Sequence, residues 1–150
     1  MALSVSQAAG YARAAGFSGD SLVTILAIAM AESGLEPGAQ GWNGPTSGCP
    51  SGSVDRGLLQ INSCYWPQFS DAQCYDPAGA FRAGWTISRG GTQFGDWATY
   101  VGGQYLAYVG QVRSQLGSGA DGGAGATPTG LPKEAIAFLA LALVALVLLD

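Results

Sequence analysis

From Leu22 to Met30 the chain is apolar at every position but Thr24. A helix that is apolar nearly all round is buried in a core rather than laid on a surface. Asp20 is placed to cap such a helix and Gly34 to stop it, which predicts a helix over 21–33. Before it, Ser6 opens a stretch that runs to Ala15 and ends at Gly16, and a first helix is expected there. From 36 to 56 the pattern dissolves into Gly, Pro, Ser and Asn, which predicts loops with room for a short hairpin. Asp76-Pro77 joins a capping carboxylate to a first-turn proline and predicts a helix to about Ser88. Gly102 or Gly103 precedes a last helix, expected over 104–116. No internal repeat is visible.

After Leu116 the pattern changes twice. Residues 117–129 read GSGADGGAGATPT, with no apolar side chain larger than alanine, as in a flexible linker. Ala135 to Leu149 is an unbroken apolar run, fenced by Lys133-Glu134 and Asp150. Three zones follow: a globular, mainly helical domain over 1–116, a Gly-rich linker over 117–132, and a hydrophobic helix over 133–150. The apolar run would form a helix of about 22 Å, short against a bilayer core of about 30 Å. Three uses remain for it: a membrane anchor, an oligomeric dock in a protein assembly such as a virion, or a device that perforates a membrane during delivery.

Composition narrows the chemistry. Six basic residues are scattered along the chain and the net charge is −4, so nucleic-acid binding has no electrostatic basis. Histidine is absent, which removes His-based triads and His-containing zinc sites. Cys49, Cys64 and Cys74 show no CxxC spacing, so no metal or other cofactor is expected. One disulfide with one free thiol and three reduced thiols are both open. A Cys64–Cys74 bridge would close a short loop, the less valuable kind. The cysteines leave the compartment open.

Glu32 stands at the end of the apolar helix, in Ala31-Glu32-Ser33-Gly34. A carboxyl at the buried end of such a helix holds its proton near neutral pH, because desolvation disfavours the charged form. A protonated acid at pH 7 is the tool for breaking a glycosidic bond. Downstream come Asp55-Arg56-Gly57-Leu58-Leu59-Gln60-Ile61-Asn62 and then Trp97-Ala98-Thr99-Tyr100.

These three segments, in this order, resemble the lytic transglycosylase branch of the lysozyme-like superfamily, in a variant like those of phage and actinobacterial wall-degrading proteins. The resemblance spans roughly Ser21 to Leu116. It implies a mainly α, α+β lysozyme-like fold. It implies Glu32 as the catalytic acid, and Ser33 beside it contacting the acid or the sugar. Gln60 would line the groove and suit an N-acetyl group, since its amide both donates and accepts. Tyr100 would hold the acid or contact the sugar. The family pattern usually has Asn where this chain has Val101, and Asn62 is the polar residue expected to serve nearby. Of the aromatic residues, Trp42 and Trp66 lie in expected loops and are the candidates for stacking on sugar faces.

The implied activity is cleavage of the β-1,4 bond between N-acetylmuramic acid and N-acetylglucosamine, with peptidoglycan strands as partner. Hydrolysis needs a second carboxylate. Asp55 is the one acid embedded in a motif segment, and its plain reading is a turn residue. One acid without a clear partner favours the transglycosylase route, in which the sugar's own C6 hydroxyl attacks and leaves a 1,6-anhydro product. The alternatives are a muramidase using Asp55, a structural tail or capsid component with a lysozyme-like fold, and a module for other N-acetylated β-1,4 glycans. Residues 1–7 lack the basic and apolar regions of a secretory signal. Delivery in a phage particle, or anchorage at the cell envelope through residues 133–150, is therefore expected.

Overall fold

The computed structural model describes residues 1–118. The rest of the expected linker and the whole of the expected hydrophobic helix lie outside the described residues. Six helices and three short strands follow in the order α1 (Val5–Ala15), α2 (Gly19–Ser33), β1 (Gln40–Asn43), β2 (Ser53–Arg56), β3 (Ile61–Asn62), α3 (Asp71–Tyr75), α4 (Pro77–Ile87), α5 (Ala98–Val101) and α6 (Leu106–Ser118). The fold is mainly α with a small sheet, as expected.

Helix α2 forms the centre. Its Ile25, Leu26, Ala27, Ile28 and Ala29 are fully buried, with Ala8, Ala9 and Ala12 of α1, Phe81 of α4 and Val112 of α6 in the same core. Burying each large apolar side chain contributes about 1.5–3 kcal/mol. Gly34, at φ 62°, ends α2, and its N–H donates to the Met30 carbonyl. Leu35 follows at φ 62° and is itself buried, so the chain turns away sharply just after Glu32 and Ser33.

The starts of α1, α2 and α6 each differ from expectation by two residues. Helix α1 is capped by Ser4 rather than Ser6, because Gln7 completes a reciprocal pair of bonds with Ser4. Three residues after Ser6 stands Ala9, which has no group to reach back. Helix α2 begins beyond Ser18, whose N–H and carbonyl both bond the Ser21 hydroxyl. Asp20 instead accepts from Arg113 on α6 at 2.8 Å. Asp76 caps α4 through Gly79 N–H at 2.7 Å, with Pro77 in the first turn, as expected.

The three strands form one antiparallel sheet in sequence order. Gly41 pairs with Asp55, Asn43 with Ser53, and Asp55 with Asn62. Cross-strand partners share a face, so Gly41, Asn43, Ser53, Asp55 and Asn62 present one surface. Trp42, Val54, Arg56 and Ile61 take the other. Gly57 turns the chain out of β2 at φ 69°, where a Cβ would overlap the Cys74 carbonyl oxygen. The turn drives Leu58 and Leu59 fully into the core.

Arg56 organises the segment behind the sheet. Its side chain is 4 % exposed and donates to the carbonyls of Ile61, Phe69 and Trp66 and to Asp71. Cys49 and Cys64 form the disulfide, and Cys74 is a buried free thiol. The bridge therefore ties the β1–β2 loop to the segment after β3.

Candidate active site

The last turn of α2, the clean face of the sheet and the start of α5 enclose a cleft of about 220 Å³. Glu32, Asp55, Gln60, Asn62, Tyr65, Asp96, Trp97 and Ala98 line it. The cleft adjoins two further hollows. One, of about 280 Å³, runs under the β1–β2 loop past Asn43, Cys49 and Ser53. The other, of about 70 Å³, lies against Trp66 and Ile87. Asn62 and Tyr65 border all three. Among the described residues, no basic side chain lines any of them. An anionic groove of this kind suits a reaction that develops positive charge on a sugar.

Glu32 is partly buried at the cleft wall. Burial pushes its carboxyl above the ordinary value, the Thr99 hydroxyl pulls it back, and the negative charge of Asp55 adds to the rise. Thr99 Oγ1 donates to Glu32 Oε1 at 2.7 Å. The acid thus has the environment the sequence predicts for it.

Asp55 departs from the turn residue expected. It stands on β2 and faces the cleft, with Asn43 Nδ2 donating to Oδ2 at 2.7 Å and Asn62 Nδ2 donating to Oδ1 at 2.8 Å. Both oxygens of the carboxylate are thereby held by side-chain amides, which fixes its orientation in the cleft. The cleft therefore carries one desolvated acid, Glu32, and one carboxylate, Asp55, held at both oxygens by amide donors.

Of the other sequence candidates, Gln60 and Asn62 line the cleft. Gln60, at φ 48°, donates from Nε2 to the carbonyls of Gly57 and Ala39. Its Oε1 lies 3.4 Å from where a Cβ on Gly41 would stand, so Gly41 leaves room for it. Asn62 Nδ2 serves Asp55 and Ser53, and its Oδ1 accepts from the N–H groups of Cys64 and Tyr65. Ser33 turns its hydroxyl to the carbonyls of Ala29 and Leu58, at 3.0 and 2.8 Å, and the cleft lining does not include it. Tyr100 packs its ring against Phe94 and Tyr105, at 5.5 and 4.7 Å between centroids. The hydroxyl that meets Glu32 is that of Thr99, one residue earlier. Trp66 borders the inner hollow, whereas Trp42, on the far face of β1, packs over Gly52.

Thr99 and Asn43 were not legible as site residues. Each earns its place through a partner distant in sequence, Glu32 for one and Asp55 for the other. Among the described residues, no group of three His, Cys, Asp or Glu side chains converges to hold a metal ion.

Among curated proteins and solved structures, none matches the chain significantly. A family described as "Lysozyme like domain" matches residues 9–99, more than half of the chain. With Glu32 at the end of the core helix and the Gly57–Asn62 segment beneath the cleft, the chain belongs to this lysozyme-like family, whose activity is cleavage of peptidoglycan glycan strands.

Proposed function

We propose that this domain hydrolyses the β-1,4 bond between N-acetylmuramic acid and N-acetylglucosamine as a two-carboxylate muramidase. The observation that carries the reading is Asp55, fixed by Asn43 and Asn62 and lining the same cleft as Glu32. Glu32, whose carboxyl burial pushes above the ordinary value, delivers its proton to the glycosidic oxygen. Asp55, held in place by Asn43 and Asn62, stabilises the sugar cation that develops as the bond breaks. Water then completes the reaction, with Glu32 acting as base.

The second reading is a lytic transglycosylase, favoured by the order of the Glu-Ser, Gly-Leu-x-Gln and aromatic segments. In that route the C6 hydroxyl of the muramic acid replaces water, and Asp55 acts only through its field. The mass of the products separates the two. Purified protein acting on peptidoglycan is expected to give products with reducing ends, and Glu32→Gln none. Muropeptides lighter by one water would establish the 1,6-anhydro route instead. No product from intact wall or isolated strands would overturn both and leave a structural role.

The Cys49–Cys64 disulfide supports action outside a reducing cytoplasm, where such bonds persist. Delivery to the wall by a phage particle fits that compartment. Absence of the protein from purified particles would sink this part of the proposal.

A further inference from the structure

Two neighbouring carbonyls of the Gly57–Gln60 turn hold the two elements that meet at the acid. The Ser33 hydroxyl, at the end of α2, donates to the Leu58 carbonyl at 2.8 Å. Trp97 Nε1, at the start of α5, donates to the Leu59 carbonyl at 2.9 Å. Trp97 is 5 % exposed, so this bond is shielded from water. The bond from Thr99 Oγ1 to Glu32 Oε1 closes the ring of helix end, turn and short helix. Thr99 does not itself line the cleft, although Ala98 beside it does.

We infer that Thr99 is a positioning residue, which fixes the orientation of the Glu32 carboxyl in the cleft. The contact holds one carboxyl oxygen, Oε1, against α5 and leaves Oε2 without this restraint. The inference rests on the glycosidase reading and deepens it. A free carboxyl can rotate and lose its aim, and a misplacement near 1 Å costs about 10²-fold in rate. The same bond is made more strongly to the charged carboxylate than to the neutral acid, so it opposes the effect of burial on Glu32. The titratable groups facing Glu32 across the cleft are Asp55 on β2, Asp96 ahead of α5 and the Tyr65 phenol. None of them is altered by a change at Thr99.

Thr99→Val keeps the shape and removes the hydroxyl. The test uses the full chain and reads two things, the cleavage kinetics and the carbon-13 NMR titration of the Glu32 side-chain carboxyl. The expected result is a fall in kcat of about tenfold to 10²-fold, with KM little changed. The Glu32 titration and the basic limb of the pH profile move up together, and Thr99→Ser restores both. Thr99→Ala repeats the test without the added methyl, should valine disturb the fold. A folded variant with unchanged titration and unchanged kcat would overturn the inference. Because the titration needs no substrate, an inactive wild type whose Glu32 still shifts in Thr99→Val would sink the glycosidase reading while supporting the contact.

Discussion

Asn62 donates its side-chain amide to Asp55 Oδ1 at 2.8 Å, and the two residues are direct partners across the β2–β3 pair. Asn43 meets the other oxygen from β1, two residues along from Gly41, the direct partner of Asp55. The carboxylate is thus gripped by both neighbouring strands, and its aim into the cleft follows from sheet register. Gly41, directly opposite Asp55, offers no side chain to obstruct it.

Asp55→Asn removes the charge and keeps the shape. If Asp55 stabilises the sugar cation, cleavage should fall by about 10²-fold to 10³-fold, the range for removing one preorganised electrostatic group. The new amide can accept on one side only, so one asparagine donor loses its partner, at about 1 kcal/mol of stability. Rates on isolated glycan strands and urea midpoints check both. Activity within about threefold of wild type would favour the C6-hydroxyl route, in which Asp55 is not required.

Arg56 and Asp71 form an ion pair at 2.8 Å whose two ends differ sharply, with side-chain exposures of 4 % and 77 %. The two ends should therefore respond differently to mutation. Asp71→Asn removes an exposed partner and is expected to cost under about 1 kcal/mol. Arg56→Met takes the guanidinium donors from the carbonyls of Ile61, Phe69 and Trp66, of which Trp66 keeps the Phe69 N–H. Each orphaned acceptor costs about 1–3 kcal/mol when buried, so with two such carbonyls a loss of at least about 2 kcal/mol is expected. Equal losses for the two variants, in denaturant titrations, would contradict this account of the segment behind the sheet.

The raised Glu32 carboxyl also ties stability to pH. Burial makes the charged form costly in the folded state only, so folding favours the protonated acid. The contribution is fully present below the ordinary value of 4.5 and is lost as pH rises through the higher folded value. Glu32→Gln cannot ionise and should be more stable than wild type at pH 7. Its amide oxygen can still accept from Thr99. The difference in Tm should shrink as pH is lowered and flatten below about 4.5. A Tm difference that does not change with pH would show that Glu32 is not desolvated in the fold.

Local signals carried much of the fold. Gly16, Gly34 and the Asp76-Pro77 pair mark helix ends through backbone chemistry that needs no distant partner. The apolar run of α2 marks the core for the same reason. Helix α3 escaped because it spans only Asp71–Tyr75, too short for periodicity, although Ser70 and Gln73 form its capping pair. The site was legible only as far as a single residue's own surroundings decide its chemistry. Glu32 could be read because an apolar helix announces desolvation. Asp55 needed the strand register, which the Gly- and Ser-rich loop hides. Thr99 needed a contact across sixty-seven positions, and Tyr100 beside it carried the family expectation instead. Trp42 looked like a groove residue until the alternation of β1 put it on the opposite face from Asn43.

The Cys49–Cys64 bridge adjoins the Asp55 clamp at both ends. Asn62 Oδ1 accepts from the Cys64 N–H at 2.9 Å, and Cys49 lines the hollow that Asn43 and Asp55 share. The bridge closes a sequence separation of 15, worth about 3 kcal/mol in chain entropy. Reduction should therefore lower stability by about that amount. It should also reduce cleavage under conditions where the helices remain folded, because the Asn62 turn loses its tether. Cys74 will not report on this step. It is fully buried, and desolvation pushes its thiol up, away from the reactive thiolate. Alkylation followed by mass measurement is expected to modify no cysteine in the native protein. Unfolding without reductant should expose Cys74 alone, and unfolding with reductant should expose all three cysteines. Labelling of Cys49 or Cys64 without reductant would contradict the bridge, and native labelling of Cys74 would contradict its burial. Cleavage that survives reduction undiminished in the folded protein would show that strand pairing alone holds the clamp.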